Sequence, residues 1–154
     1  KHFLKKKLIE KSGVLLEKTG LAPAQARIAS LLIISDEVEL TFDEIKDSLK
    51  LSKSATSNAL NSLLAMEKIS YTVKIGDRKR YFKSKIASME IDFEDKIDKM
   101  LTMKYLLQEI VDQRTKKTPD FNEKLNSMIQ FMTFMQSELP KLFEKWNQLK
   151  ATRS

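Results

Sequence analysis

The chain has 154 residues, no cysteine, one histidine (His2), three glycines, three prolines and a net charge of +7. The missing cysteines exclude disulfides and thiolate metal sites, and a lone histidine argues against a histidine-rich zinc site. No apolar run approaches the roughly 20 residues that cross a bilayer, and scarce helix breakers favour helix over sheet. The length suits one medium domain, or a small domain with a long helical appendage. Charge is unevenly placed: residues 51–85 carry eight Lys or Arg against two acids, and residues 1–20 carry six against two, whereas residues 86–154 are balanced. Such clustering is the pattern of an electrostatic footprint rather than of general solubility.

A first helix is predicted over residues 3–18. Phe3, Leu4, Leu8, Val14, Leu15 and Leu16 give it an imperfect apolar stripe, Gly13 weakens it and Gly20 ends it. Lysines run through its apolar residues, so it reads as an amphipathic helix rather than a signal peptide, and the expected compartment is the cytoplasm. Pro23 starts a second helix, where its missing N–H costs nothing. Ala26, Ile28, Ala29, Leu31, Leu32, Ile33 and Ile34 make that helix apolar nearly all round, which predicts burial at the domain centre.

Val38 to Leu40 is expected as a very short strand. Thr41, with Glu44 three residues on, is a capping box that opens a third helix through Leu49, its inward face formed by Phe42, Ile45 and Leu49. Lys50 and Leu51 connect it to a fourth helix capped by Ser52. Ala55, Ala59, Leu60, Leu63, Leu64 and, at the edge, Met66 are assigned to the buried side. Lys53, Ser54, Ser57, Asn58 and Asn61 are assigned to the other, and Thr56 falls between. Two short helices with a tight connection have helix-turn-helix geometry.

From Ile69 the period changes to two. Ile69, Tyr71, Val73 and Ile75 alternate with polar residues as in a half-buried strand. Gly76-Asp77 supplies a turn, Tyr81 and Phe82 begin a return strand, and Arg78, Lys79 and Arg80 are expected at the tip. This hairpin is a wing, and the pieces together predict a winged helix-turn-helix domain over residues 21–85.

Residues 86–116 are predicted helical, with a break at Lys116 to Asp120. Beyond it, Phe121, Leu125, Met128, Met132, Met135, Leu139, Leu142, Trp146 and Leu149 recur in alternating steps of four and three, a heptad-like seam. Pro140 is expected to kink or divide this helix. Ile129, Phe131, Phe134 and Phe143 widen the apolar face beyond what one small head covers. Residues 1–20 and 86–154 are therefore expected to form a helical dimerisation region, with an intramolecular bundle as the alternative. The methionine-rich stripe is expected to serve ordinary core packing, with a small-ligand site as the alternative because Met repacks easily. The fold class is mainly α with a small β-wing: a winged helix-turn-helix domain flanked by long dimerisation helices.

A hydrogen-bonding helix followed by a basic hairpin suits a major groove and the adjacent backbone or minor groove of double-stranded DNA. Ser52 caps the helix whose N-terminus then faces a phosphate. Lys53 and Ser54 are placed at the backbone or in the groove with the first turn. Ser57, Asn58 and Asn61 are the candidate base readers, since Asn pairs bidentately with adenine. Arg78 and Arg80 suit a narrow, A·T-rich minor groove, although Arg80 has the alternative of lying on the strand and pairing internally. Lys74, Lys79, Lys83 and Lys85 suit phosphates. Asp77 repels phosphate and is expected to hold the turn or orient a neighbouring arginine. With no arginine on the helix, strong guanine readout is not expected, and the site should be dyad-symmetric and A·T-leaning. No nucleophile–base constellation or Gly-rich phosphate loop points to an enzyme, a cofactor or a bound metal. The competing reading is a winged-helix protein-interaction adaptor without direct DNA recognition.

At these residues the sequence resembles the MarR-type winged-helix regulators, and more closely the GbsR-like branch, named for a repressor of glycine betaine synthesis. The landmarks are PAQARIASLLIIS, TFDEIKDSLKLSKSATSNALNSL and the wing GDRKRYF, spanning about Leu21 to Lys85. The resemblance implies a dimeric transcriptional regulator, often a repressor, whose long terminal helices form the dimer interface. It assigns Ser52, Lys53, Ser54, Ser57, Asn58 and Asn61 to the recognition helix and Asp77, Arg78, Lys79 and Arg80 to the wing. It also suggests a small-molecule effector, whose identity the residues do not specify.

Overall fold

The structure is a computed structural model describing residues 2–153, with side chains from Lys5 onward, so the expected roles of Phe3 and Leu4 lie outside the described residues. The fold is mainly helical with a small antiparallel wing. The chain divides into two compact units, Lys1–Ser88 and Met89–Ser154.

The first unit contains α1 (His2–Glu17), α2 (Pro23–Ile34), β1 (Leu40–Thr41), α3 (Phe42–Leu49), α4 (Lys53–Ala65), β2 (Ile69–Val73) and β3 (Arg80–Ser84), and closes with a 3₁₀ turn at Ile86–Ser88. Helix α2 is central, packing against α1, α4 and the sheet. Its Ala26, Ile28, Leu31 and Leu32 join Ile45 of α3, Ala59, Leu60 and Leu63 of α4, Leu40, Ile69 and Phe82 in one core. The strands are ordered β1-β3-β2, all antiparallel, with Phe82 between Leu40 and Tyr71. Phe82, on the central strand, is fully buried and joins Leu40 and Ile69 as the sheet's contribution to the core.

Local signals explain the element ends. The capping box is present: the Glu44 N–H donates to Thr41 Oγ1 at 3.3 Å and the Thr41 N–H donates to Glu44 Oε2 at 2.7 Å. Helix α3 ends with Lys50 in the left-handed region (φ 53°), and α4 with Glu67 likewise (φ 57°). In each, the next residue's N–H reaches back to close a Schellman turn, Leu51 to the Lys46 carbonyl and Lys68 to the Leu63 carbonyl.

Several expected faces are corrected. On α1 the inward residues are Ile9 and Leu16, with Gly13 buried, while Leu8, Val14 and Leu15 are exposed. Gly13 does not merely weaken the helix. A Cβ there would lie 3.2 Å from Arg27 Cγ, so its absence makes room for the arginine that pairs with Glu10 at 3.0 Å and Glu17 at 3.6 Å. On α2 the buried face includes Ser30, whose hydroxyl donates to the Ala26 carbonyl at 2.8 Å, and Ile33 is exposed. Strand β1 starts at Leu40, leaving Val38 exposed, and Met66 is exposed beyond α4. In β2 only Ile69 is buried, because the strand leaves the helical layer after it; Tyr71, Val73 and Ile75 are exposed.

The second unit contains α5 (Met89–Leu101), α6 (Met103–Gln113) and α7 (Pro119–Thr152). The stretch predicted helical over residues 86–116 opens with the 3₁₀ turn and divides into two helices at Thr102. Pro119 starts α7, and Arg114 ties the preceding loop by donating to Asn122 Oδ1 at 2.6 Å and Thr118 Oγ1 at 2.7 Å. Helix α7 runs undivided through Pro140. Of its seam, Met132 and Leu139 are buried with Leu101, whereas Phe121, Met128, Leu142, Trp146 and Leu149 are exposed. Among the described residues no helix is long and apolar enough to cross a membrane.

Candidate nucleic-acid interface

The N-terminus of α4 is held by one residue twice. Ser52 Oγ accepts the Ala55 N–H at 3.1 Å, and the Ser52 carbonyl accepts both the Thr56 N–H at 3.0 Å and the Thr56 hydroxyl at 2.9 Å. Thr56, left between faces by the sequence, is fully buried. Its methyl packs inward while its hydroxyl is satisfied by the helix itself. This anchors the first turn of the helix.

Ser52, Lys53, Ser54, Asn58 and Asn61 are all exposed, and Ser57 is half-buried. Ser54, Asn58 and Asn61 follow steps of four and three, so they form one stripe along the helix. Ser57 stands beside that stripe. Asn side chains in such a row present both a donor and an acceptor to the solvent, the pair of functions an adenine edge demands.

The wing is held by a carboxylate. The Asp77 N–H donates to the Lys74 carbonyl at 3.0 Å, closing a turn in which Gly76 adopts φ +79°. Asp77 Oδ1 then accepts the Lys79 N–H at 2.9 Å, and Oδ2 accepts the Tyr81 hydroxyl at 2.6 Å. The Tyr81 hydrogen bond, followed by that from Lys79, holds the Asp77 carboxyl below its ordinary range, and the same carboxylate pushes the Tyr81 hydroxyl above its own. Asp77 thus holds the turn, one of its two expected roles, chiefly through Tyr81 and the Lys79 N–H.

The wing cations fall into two groups. Lys74 folds back, with Nζ 4.0 Å from the Tyr81 ring centre and 3.7 Å from Glu39. Arg80, expected at the tip, is the first residue of β3 and stacks over Tyr71 and Phe82 at 5.1 and 5.3 Å. Its pairing within the wing is the alternative the sequence left open. Arg78 and Lys79 remain in the connection between the strands, beside Gly76 and a fully exposed Ile75. Glu39, Tyr71 and Tyr81 were not marked by the sequence as site residues. They shape the wing through contacts that no local spacing announces, apart from the four-residue step from Asp77 to Tyr81 across the turn. Among the described residues no group of three or more His, Asp or Glu is placed to hold a metal ion.

No protein-family model matches the chain, and no curated protein does. Among solved structures, the crystal structure of a transcriptional regulator aligns over 94% of this chain and 98% of its own, at 18% identity and a TM-score of 0.73. That likeness establishes a shared fold. A MepR–DNA complex from S. aureus aligns over 89% of this chain and 93% of its own at 21% identity, with a TM-score of 0.44. A zinc-responsive MarR family member, ZitR of Lactococcus lactis, aligns over 77% and 76% at 22% identity, with a TM-score of 0.40. At those two scores a common overall arrangement is not established.

Proposed function

We propose that the chain is a sequence-specific, double-stranded DNA-binding transcriptional regulator of the MarR type, of the GbsR-like branch, acting in the cytoplasm as a homodimeric repressor. The observation that carries this reading is the exposed Ser54–Asn58–Asn61 stripe on a helix anchored at Ser52, followed in the same compact unit by a wing with Arg78 and Lys79 in its connection. Residues 21–85 would form the DNA-binding domain, with α4 in the major groove and the wing at the minor groove. Residues 1–20 and 86–154 would supply the dimerisation region. Exposed Phe131, Phe134, Leu142 and Leu149 on α7 support that assignment, as an apolar face of this extent wants cover. The operator would be palindromic and A·T-leaning, its half-sites about one helical turn or a multiple apart. The regulator needs no catalytic group, cofactor or metal, and a small-molecule effector of unspecified identity is part of the family reading.

Selection of genomic fragments by the purified protein tests the reading and returns the operator at once. Enrichment of a dyad-symmetric sequence bound by one dimer is the expected result. The second reading, a winged-helix adaptor without direct DNA recognition, draws on the same bare α7 face. Recovery of no fragment above background, at low salt and with the protein folded, would favour the adaptor.

A further inference from the structure

Ile75 occupies the apex of the wing and is fully exposed. Its relative exposure is 106%, the largest among the exposed apolar residues. It is the second residue of the turn closed from Asp77 to Lys74, followed by Gly76. Turn apices are usually filled by Gly, Pro, Asn, Asp or Ser, and a β-branched apolar residue contributes no burial to the fold there. Single exposed apolar residues are common on protein surfaces, but Ile75 ends a stripe. It continues Ile69, Tyr71 and Val73 on alternate positions, and of these only Ile69 reaches the core.

The neighbours decide what chemistry suits this apex. Lys74 is drawn back onto Tyr81 and Glu39, and Arg80 lies over Tyr71 and Phe82. Asp77, the one acid of the turn, is turned inward to Tyr81 and the Lys79 N–H. The outermost part of the wing is therefore an isoleucine, a glycine and the two cations Arg78 and Lys79. An apolar point flanked by cations is unsuited to an apolar protein pocket, which would have to desolvate both charges. It suits a surface that is apolar in its interior and anionic at its rims. The DNA minor groove has that character, with deoxyribose walls between two rows of phosphates, and apolar residues inserted there partly unstack base steps and bend the duplex.

Resting on the DNA-binding reading above, we propose that Ile75 is an apolar wedge that enters the minor groove at the wing site, with Arg78 and Lys79 straddling it at the phosphates and groove edge. Ile75 then acts as a specificity-determining residue. It favours sites whose wing-contacted steps are easily unstacked, such as TA and CA/TG, over stiff A-tracts. Selectivity of this kind needs no hydrogen bond from the wing to a base.

The experiment compares the full-length parent with Ile75→Ala, Ile75→Met and Arg78→Ala on the duplex recovered by fragment selection. Affinity is measured across a salt series, and bending by fluorescence transfer between the duplex ends. Ile75→Ala is expected to lose about tenfold in affinity, the scale of an isoleucine side chain no longer buried, and to reduce the bend with the salt slope unchanged. Ile75→Met, which keeps an apolar tip, should retain most of both. Arg78→Ala should lower the salt slope by about one. Ile75→Ala binding and bending within twofold of the parent overturns the wedge while leaving DNA recognition standing, and so does a loss of affinity shared equally by the Ala and Met variants. A parent that binds no duplex overturns the DNA-binding reading and the wedge with it. Because the Ile75 side chain is fully exposed, both Ile75 variants should melt at the parent's temperature.

Discussion

The Tyr81 hydroxyl donates to Asp77 Oδ2 at 2.6 Å across the base of the wing turn, and the other oxygen of the same carboxylate accepts the Lys79 N–H at 2.9 Å. One acid so fixes the return strand and the backbone of a tip cation together. Tyr81→Phe removes the donor without changing charge. The wing should then sample more conformations when free, and binding must order them. Operator affinity is expected to fall roughly fivefold, on the scale of one hydrogen bond's net worth, with the salt slope unchanged. A titration at several salt concentrations checks this. A variant with parental affinity would mean that the carboxylate alone holds the turn.

The same pair sets a pH window. The Asp77 carboxyl is held down by Tyr81 and Lys79, so its contribution is present above the ordinary carboxyl value near 4 and is lost as pH falls through the lowered one. The Tyr81 hydroxyl is held up by Asp77, so its contribution is present below the ordinary tyrosine value near 10 and is lost as pH rises through the raised one. Between about pH 5 and 9 neither group titrates. The Lys79 amide resonance, followed by nuclear magnetic resonance, is expected to hold its shift across that range and to move toward a random-coil value outside it. A midpoint inside the range would contradict the arrangement.

Base readers and phosphate binders should separate in mutants. Asn58→Ala and Asn61→Ala are expected to flatten the preference for the selected operator, by about 1–3 kcal/mol for each bidentate Asn–adenine pair. Lys79→Ala should weaken binding to every duplex alike and reduce the salt slope by about one. Competition between the operator and a scrambled duplex measures both. Asn variants that keep the parental specificity ratio would remove α4 from the major groove.

How far the sequence announces this site depends on the range of the contact involved. The capping box at Thr41 and Glu44, the Ser52 cap and the Asn stripe are local patterns, set by spacings of three and four, and they fold as read. Contacts made through space are silent in sequence. Ser30 counts as polar until its hydroxyl meets Ser12 Oγ of α1 at 2.9 Å, and Gly13 counts as a weak helix former until Arg27 occupies the room it leaves. The alternation from Ile69 to Ile75 carries no mark of where the helical layer stops, so three of its four members are exposed. The left-handed turns at Lys50 and Glu67 lack the glycine that would have signalled them.

The Ser52–Thr56 pair separates a cap from a buried hydroxyl. Ser52→Ala leaves the Ala55 N–H without its side-chain acceptor and is expected to cost about 1 kcal/mol, whereas Ser52→Asp should retain the cap. Thr56→Val keeps the buried shape and removes only a hydroxyl whose acceptor, the Ser52 carbonyl, still receives the Thr56 N–H. That exchange leaves no orphaned group and should stay within about 1 kcal/mol of the parent. Thermal denaturation of the three variants orders them, and a Thr56→Val loss larger than that of Ser52→Ala would show that the hydroxyl carries the helix start.

Helix α7 carries two apolar stripes, and only one has cover within its unit. At roughly 100° per residue, Met132, Leu139 and Phe143 lie together on the side packed with Leu101, while Phe131, Phe134, Leu142 and Leu149 lie on a neighbouring side and are exposed. A second copy covering that side would make the long helices the spacer between two α4 stripes. Phe134→Glu buries a charge if that cover exists and costs almost nothing if it does not. The variant is expected to sediment as a monomer at concentrations where the parent is a dimer. Its operator affinity should fall by far more than that of a Thr133→Glu change on the opposite, exposed side of the helix, because each half-site is then bound alone and the gain from linking two contacts is lost. Equal sedimentation of parent and Phe134→Glu would move the dimer contact off this stripe, and a monomeric parent would remove the dimer.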